Sequence, residues 1–136
     1  MYQTVSEDSI AELVDRFYGK IRDDQFLGPI FAEAIGTGWK PHLEKMKAFW
    51  STVLLASGTY KGNPMAAHLQ LPRLTQRHFD RWLQLWRETA DGLFAESVAS
   101  LFVQKAETIG QRLLHTISIC HQAASGEGLE ITREAT

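Results

Sequence analysis

Apolar residues recur at helical spacing along four stretches of the chain. In the first, Ile10, Leu13, Val14, Phe17 and Ile21 fall three or four positions apart, with Tyr18 beside them, which predicts an amphipathic helix. Ser6 precedes it as a candidate N-cap, and Glu7 and Asp8 occupy the first turn, where acidic groups complement the helix dipole. Asp23-Asp24 and Leu27-Gly28-Pro29 interrupt the pattern, so Ile30-Phe31 reads as a short turn and Gly36-Thr37-Gly38 as a loop. A second long helix is predicted from about Trp39. On it His42, Met46, Phe49, Trp50 and Val53 share one face, widened by Leu43 and Leu54, while Lys40, Glu44, Lys45 and Lys47 take more polar positions.

Thr75 is a candidate N-cap for a third long helix whose buried side carries Phe79, Trp82, Leu83, Trp86, Ala90 and Leu93. A fourth, from about Ser97, carries Val98, Leu101, Phe102, Ala106, Ile109, Leu113 and Ile117. No stretch keeps a period of two and no hairpin dipeptide separates apolar runs. The expected fold class is therefore all-α, one domain over residues 1–122, with a flexible tail over 123–136. Residues 55 to 75 depart from this regularity. Ser57-Gly58-Thr59-Tyr60-Lys61-Gly62 is turn-rich, and Asn63-Pro64 and Pro72 then bracket a short helical piece, Ala67-His68-Leu69-Gln70-Leu71. Helices in a simple bundle are joined by short loops, and a segment this long has something to hold.

Composition narrows the possibilities. The chain has 136 residues, enough for one substantial core, and a formal net charge of −2 from 14 basic and 16 acidic side chains. That balance offers no electrostatic footprint for nucleic acid. Cys120 is the sole cysteine, which rules out an internal disulfide and a thiol-only metal site. The N-terminus lacks the basic start and apolar run of a signal peptide, and no segment approaches the roughly 20 apolar residues that span a bilayer. A cytoplasmic protein with no membrane partner is expected. Four Trp and seven Phe are the oddity; such residues build large cores and also line pockets for flat cofactors.

The chemistry centres on histidine. Of five, His115 and His121 lie on or after the last helix and read as solvent-facing or structural. His68, hidden among Leu69 and Leu71, is a neutral imidazole suited to iron, zinc or copper. His78 at a helix start is its rival, and periodicity does not choose between them. His42 opens an apolar face, as a gate to a pocket or as an exposed helix-end residue. No His/Cys/Asp/Glu cluster has the spacing of a zinc site, no HExxH is present, and neither a phosphate loop nor a GxSxG occurs. Asp23-Asp24 reads as a solvated turn. What remains is a metal held by one histidine and by a ligand of its own, a description an iron porphyrin meets.

Phe17-Tyr18, Leu27-Gly28-Pro29-Ile30-Phe31, Trp39-Lys40-Pro41-His42, Phe49-Trp50, His68-Leu69-Gln70-Leu71-Pro72 and His78-Phe79-Asp80-Arg81-Trp82-Leu83 follow one another in an order and spacing that resemble the truncated haemoglobins, in particular their third, bacterial group. The match spans about residues 6 to 120, and the glycine pairs that mark the other groups are absent. The resemblance implies a shortened globin fold, two helices over two, around a pentacoordinate b-type haem (iron protoporphyrin IX). By motif position it makes His68 the proximal iron ligand, in preference to His78. It sets Tyr18 and Trp82 on the ligand side with His42 at the distal gate, and packs Phe31 against the porphyrin. Met46, Phe49, Trp50, Leu71 and Phe79 are the accompanying apolar neighbours, and Lys45 and Arg73 are charge-compatible with the propionates.

Haem binding leaves the function open. One reading is reversible binding of O₂ or another diatomic gas (NO, CO), for storage, transport or sensing. A second is an enzyme that oxidises nitric oxide to nitrate or reduces peroxide, with an electron-donating reductase as partner. A third is a haem-free helical interaction module. Two donors on the distal side suit a tightly held, polarised dioxygen. The absence of an obvious carboxylate partner for the proximal imidazole weakens the peroxidase case.

Overall fold

Ser6 starts the first helix as its spacing predicts. Its hydroxyl accepts from Ser9 N (3.1 Å) while Ser9 Oγ accepts from Ser6 N (2.9 Å), a reciprocal cap that satisfies two amides otherwise left without partners. The structure, a computed structural model, describes residues 1–63, 68 and 74–125. Within these, α1 spans Glu7–Asp23, α2 Gly28–Ile35, α3 Trp39–Leu55, α4 Gln76–Leu93 and α5 Glu96–Ser125. The described residues form no strand. A single bridge joins Tyr2 to Phe94, where Tyr2 N donates to Leu93 O (2.7 Å) and Ala95 N donates to Tyr2 O (2.9 Å). Helix α5 continues past Cys120 to Ser125, and residues 126–136 of the expected tail lie outside the described residues.

The long helices pack as two pairs, α1 with α3 and α4 with α5, and contact between α1 and α4 joins them. Aromatic rings fill the junction. Trp50 of α3 stacks on Trp86 of α4 (centroids 4.5 Å apart), Phe17 of α1 meets Trp86 edge-on (4.9 Å), and Trp86 Nε1 donates to Phe102 O of α5 (3.1 Å). All four rings are buried, and edge-on and offset contacts of this kind add to what area burial supplies.

One expectation is corrected. Ile30-Phe31 belongs not to a turn but to α2, two turns long. Asp24 supplies the missing start, because its Oδ2 accepts from Phe26 N (3.1 Å) and Leu27 N (2.9 Å), and Pro29 is tolerated so close to a helix start. Asp24 is therefore not the solvated turn residue its sequence position suggests. Its side chain is only 6 % exposed, and Oδ1 accepts from Arg81 Nη2 (2.6 Å) and Nε (2.8 Å), tying α4 to the α1–α2 corner. Gly28 lets α2 begin against the end of α1, since a Cβ there would stand 2.9 Å from the Arg22 carbonyl oxygen.

On α3 the predicted apolar face is present but unevenly covered. Trp50 and Ser51 are buried, whereas His42, Met46, Phe49 and Val53 remain half-buried. The α3 C-terminus is fastened by hydroxyls. Thr59 Oγ1 lies 3.0 Å from Ser57 Oγ, Ser57 contacts Ser51 (2.7 Å), and Ser51 donates to Glu7 Oε2 (2.7 Å). Tyr60 N donates to Thr52 Oγ1 (3.1 Å). This network lays the chain that leads toward His68 back over α3.

Two substitutions test these joints. Asp24→Ala removes the acceptor of two amides and the partner of Arg81, and should cost about 1–2 kcal/mol in urea unfolding at pH 7. The Arg81 guanidinium, bonded to it, holds the Asp24 carboxyl below its ordinary value of 3.8. The stabilisation is thus present above that value and is lost as pH falls through the lower, folded-state value, so the gap between wild type and Asp24→Ala should close in acid. At Gly110, a Cβ would overlap the buried Phe79 ring. Gly110→Ala should cost about 1–3 kcal/mol through displacement of that ring, read from the same unfolding curves.

Candidate functional site

Tyr18 and His42 meet where α1 packs on α3. Phe17 and Tyr18 are neighbours on one helix and so point about 100° apart. Burial of Phe17 against Trp86 and, edge-on, Trp82 (5.8 Å, 90°) leaves Tyr18 facing α2 and α3. There the Tyr18 ring stands 5.0 Å from the His42 ring at 88°, 6.0 Å from Phe31 and 6.0 Å from Trp39. His42 is also edge-on to Trp39, at 5.8 Å and 89°.

The polar atoms of this cluster lack partners. His42 Nε2 is buried with no hydrogen bond among the described residues. The Tyr18 hydroxyl and Trp82 Nε1 also make no hydrogen bond among the described residues, but neither atom is fully shut from solvent. Buried polar groups are nearly always paired, and an orphan calls for an explanation. Burial alone pushes the Tyr18 phenol above its ordinary range, so it stays protonated and able to donate. Burial, reinforced by the charges of Lys45 and His68, holds the His42 imidazole below the usual histidine range. His68 thus lies near enough for its charge to reach His42. It occupies a helical, half-buried position.

Around these groups the apolar candidates divide in two. Phe31, Met46, Phe49 and Trp82 are half-buried and pack against the core from its edge. Trp50 and Phe79 are buried: Trp50 stacks on Trp86, and Phe79 stacks on Trp82 at 5.8 Å. Trp82 contacts Phe17 and Trp86 rather than Tyr18, so it joins the cluster through Phe17. Lys45 is exposed beside His42. Leu71 and Arg73 lie outside the described residues.

The rival histidine has a different occupation. His78 Nδ1 accepts from Thr75 N (2.9 Å), completing the cap of α4, and its ring lies flat on Phe26 at 4.7 Å and 5°. His115 is exposed. No group of three or more His, Cys, Asp or Glu side chains among the described residues could hold a metal ion. No described helix is long and apolar enough to cross a membrane. Two residues escaped the periodicity, Trp39 and Arg22. Trp39 lies three positions before His42, and Arg22 four after Tyr18, so each shares a helix face with a named site residue. That spacing was the available signal.

A polar pair set into a half-buried apolar wall, with one histidine within electrostatic reach, fits a flat apolar cofactor that brings its own metal. A family model described as bacterial-like globin matches residues 1–105. A group 3 truncated haemoglobin of Campylobacter jejuni is 40 % identical over 111 residues, covering 79 % of this chain and 87 % of the relative. A group 2 truncated haemoglobin of Bacillus subtilis is 31 % identical over 108 residues, covering 74 % and 78 %. The crystal structure of the group III truncated haemoglobin from Campylobacter jejuni superposes with a TM-score of 0.81 at 38 % identity, covering 85 % of this chain and 94 % of that one.

The orphaned imidazole has a measurable consequence. Below its ordinary value of 6.5, His42 takes up a proton in the unfolded chain but resists it in the folded one, so stability falls as pH falls across that window. His42→Leu should make this decline between pH 7 and 5 shallower in the ligand-free protein, the remainder coming from His78, whose imidazole burial also depresses. Because it removes an unpaired buried nitrogen, the same substitution should add about 1 kcal/mol at pH 7. Urea titrations across the pH series measure both effects.

Proposed function

This chain belongs to the bacterial-like globins, as a truncated haemoglobin of the third group with the all-α globin fold, and we propose from that premise that it binds O₂ and other diatomic gases at a b-type haem. The globin family implies the haem; the finer assignments rest on the residues. His68 is the axial ligand in this reading. Phe31, Met46, Phe49, Phe79 and Trp82 form the apolar surround with Leu71, and Lys45 and Arg73 reach the propionates.

When bound, the haem supplies an iron that takes a diatomic ligand. The chain's own part is to exclude water and to aim donors. The observation that carries this reading is the buried His42 Nε2, without a partner among the described residues, on a ring whose centre lies 5.0 Å from that of Tyr18. Neither that nitrogen nor the Tyr18 hydroxyl makes a hydrogen bond among the described residues, and a partly charged ligand atom would accept one. Tyr18 and Trp82 are donors; the neutral His42 imidazole either donates or accepts, according to its tautomer. Donors of this kind slow release of dioxygen, which also suits a site where it is held for reaction with nitric oxide, with turnover then requiring a reductase. Mixing the oxygenated protein with nitric oxide in a stopped-flow instrument separates binding alone from that chemistry.

His68→Ala should lose haem or hold it loosely, seen as loss of the Soret band, while His78→Ala keeps the wild-type spectrum. The reverse result would transfer the axial role to His78. Tyr18→Phe and Trp82→Phe should each speed O₂ release by about ten- to a hundredfold, the equivalent of a hydrogen bond of about 1.5–3 kcal/mol to a partly charged atom. Unchanged off-rates in both variants would overturn the distal assignment.

A further inference from the structure

We infer that Trp39, braced by Arg22, is a positioning residue that holds the His42 imidazole in place and so sets how fast a gas ligand enters. This rests on the reading of His42 as a distal residue. It adds two residues that make no contact with the ligand in that reading.

The geometry is a chain of contacts from solvent inward. Exposed Arg22, near the end of α1, places its guanidinium carbon 4.6 Å from the centre of the Trp39 ring. Arg22 forms no ion pair among the described residues, and its guanidinium instead lies over the indole face, a cation–π pairing. Half-buried Trp39 in turn meets His42 edge-on at 5.8 Å and 89°, and Tyr18 at 6.0 Å and 62°. The three ring centres form a near-equilateral triangle, with Tyr18 5.0 Å from His42, so the imidazole packs into the corner that Trp39 and Tyr18 make together.

What makes Trp39 decisive is the state of His42. An imidazole tied by a hydrogen bond keeps its rotamer whatever its neighbours do. His42 Nε2 has no such tie among the described residues, so ring packing does the holding. The two helices bring the parts together by register: α1 carries Tyr18 and Arg22 four apart, and α3 carries Trp39 and His42 three apart. Both spacings put the two side chains on one helix face. Removing the indole frees one side of the imidazole, and removing the guanidinium frees the indole.

The test uses the haem-loaded full chain and reads CO association after flash photolysis, beside the Soret spectrum, O₂ release and thermal unfolding. Trp39→Ala should raise the association rate by about tenfold and Arg22→Gln by about threefold, the scale of one lost ring or cation–π contact. Trp39→Phe, which keeps an aromatic edge, and Arg22→Lys, which keeps the cation, should restore most of the wild-type rate. O₂ release should rise in step with association, because a barrier lowered for entry is lowered equally for escape. The ratio of the two rates should stay within about twofold, since neither residue is placed at the ligand. A merely structural role would lower the unfolding temperature without this rate pattern. Association unchanged in both Trp39→Ala and Arg22→Gln, with Soret bands intact, would overturn the inference. So would an equal acceleration in Arg22→Gln and Arg22→Lys. Should Trp39→Ala fail to hold haem, the Arg22 pair decides. A wild-type chain that shows no Soret band after haem addition would instead sink the haem reading itself, and the gate with it.

Discussion

Burial of Phe17 orients everything around it. The ring is packed edge-on against Trp86 and Trp82, and a helix offers the next residue a direction about 100° away. Tyr18 therefore has to face α3, and it meets His42 there. A hydrophobic demand at one position thus aims a polar group at the next. Trp50 and Trp86, stacked at 4.5 Å, keep α3 and α4 from sliding, so the position His42 takes on α3 inherits the same precision. The core is more than a source of stability; it is the jig in which the site is set.

The site in turn costs the fold something. A buried imidazole nitrogen without a hydrogen bond is a feature that packing alone would select against. It stands beside well-satisfied groups: Trp86 Nε1 is bonded to Phe102 O, the buried Ser9 hydroxyl belongs to a reciprocal cap, and Asp24 is matched to two amides and Arg81. The contrast is local. Where a polar group holds helices together it has its partners; where Tyr18 and His42 face one another it does not. A protein that keeps donors in reserve for a ligand would have this distribution, because a donor already bonded to the chain is a poorer donor to anything else.

Histidines show how context overrides type. His78 and His68 both sit near helix starts by sequence, and both are imidazoles in partly apolar company. The difference lies in what surrounds the ring nitrogens. At His78 the Thr75 amide consumes Nδ1 and Phe26 covers the ring face. His68, on a half-buried helical position, lowers the pKa of His42 through its charge. The same division separates the aromatics. Phe17, Trp50 and Trp86 close the core, while Phe31, Phe49 and Trp82 stop at its edge.

Helix type and register were legible from the chain alone, because they follow from local periodicity and capping chemistry. The faces of α1 and α4, that of α5 apart from Leu101, which the structure leaves exposed, the caps at Ser6 and Thr75, and the all-α class belong to that part, as does the family, which the order of short motifs carries. Helix α2 was hidden, since its start depends on an Asp24 carboxylate whose partner Arg81 lies 57 positions away. The separation of core from cleft was hidden as well: periodicity assigns Met46, Phe49 and Trp50 to one face with no means of saying which of them another helix covers. The pairing of Arg22 with Trp39 and of Tyr18 with His42 belongs to the tertiary structure too. Local pattern depends on neighbours in sequence. Coverage, partnering and the withholding of partners depend on which helices meet, and that is decided only when the chain has closed on itself.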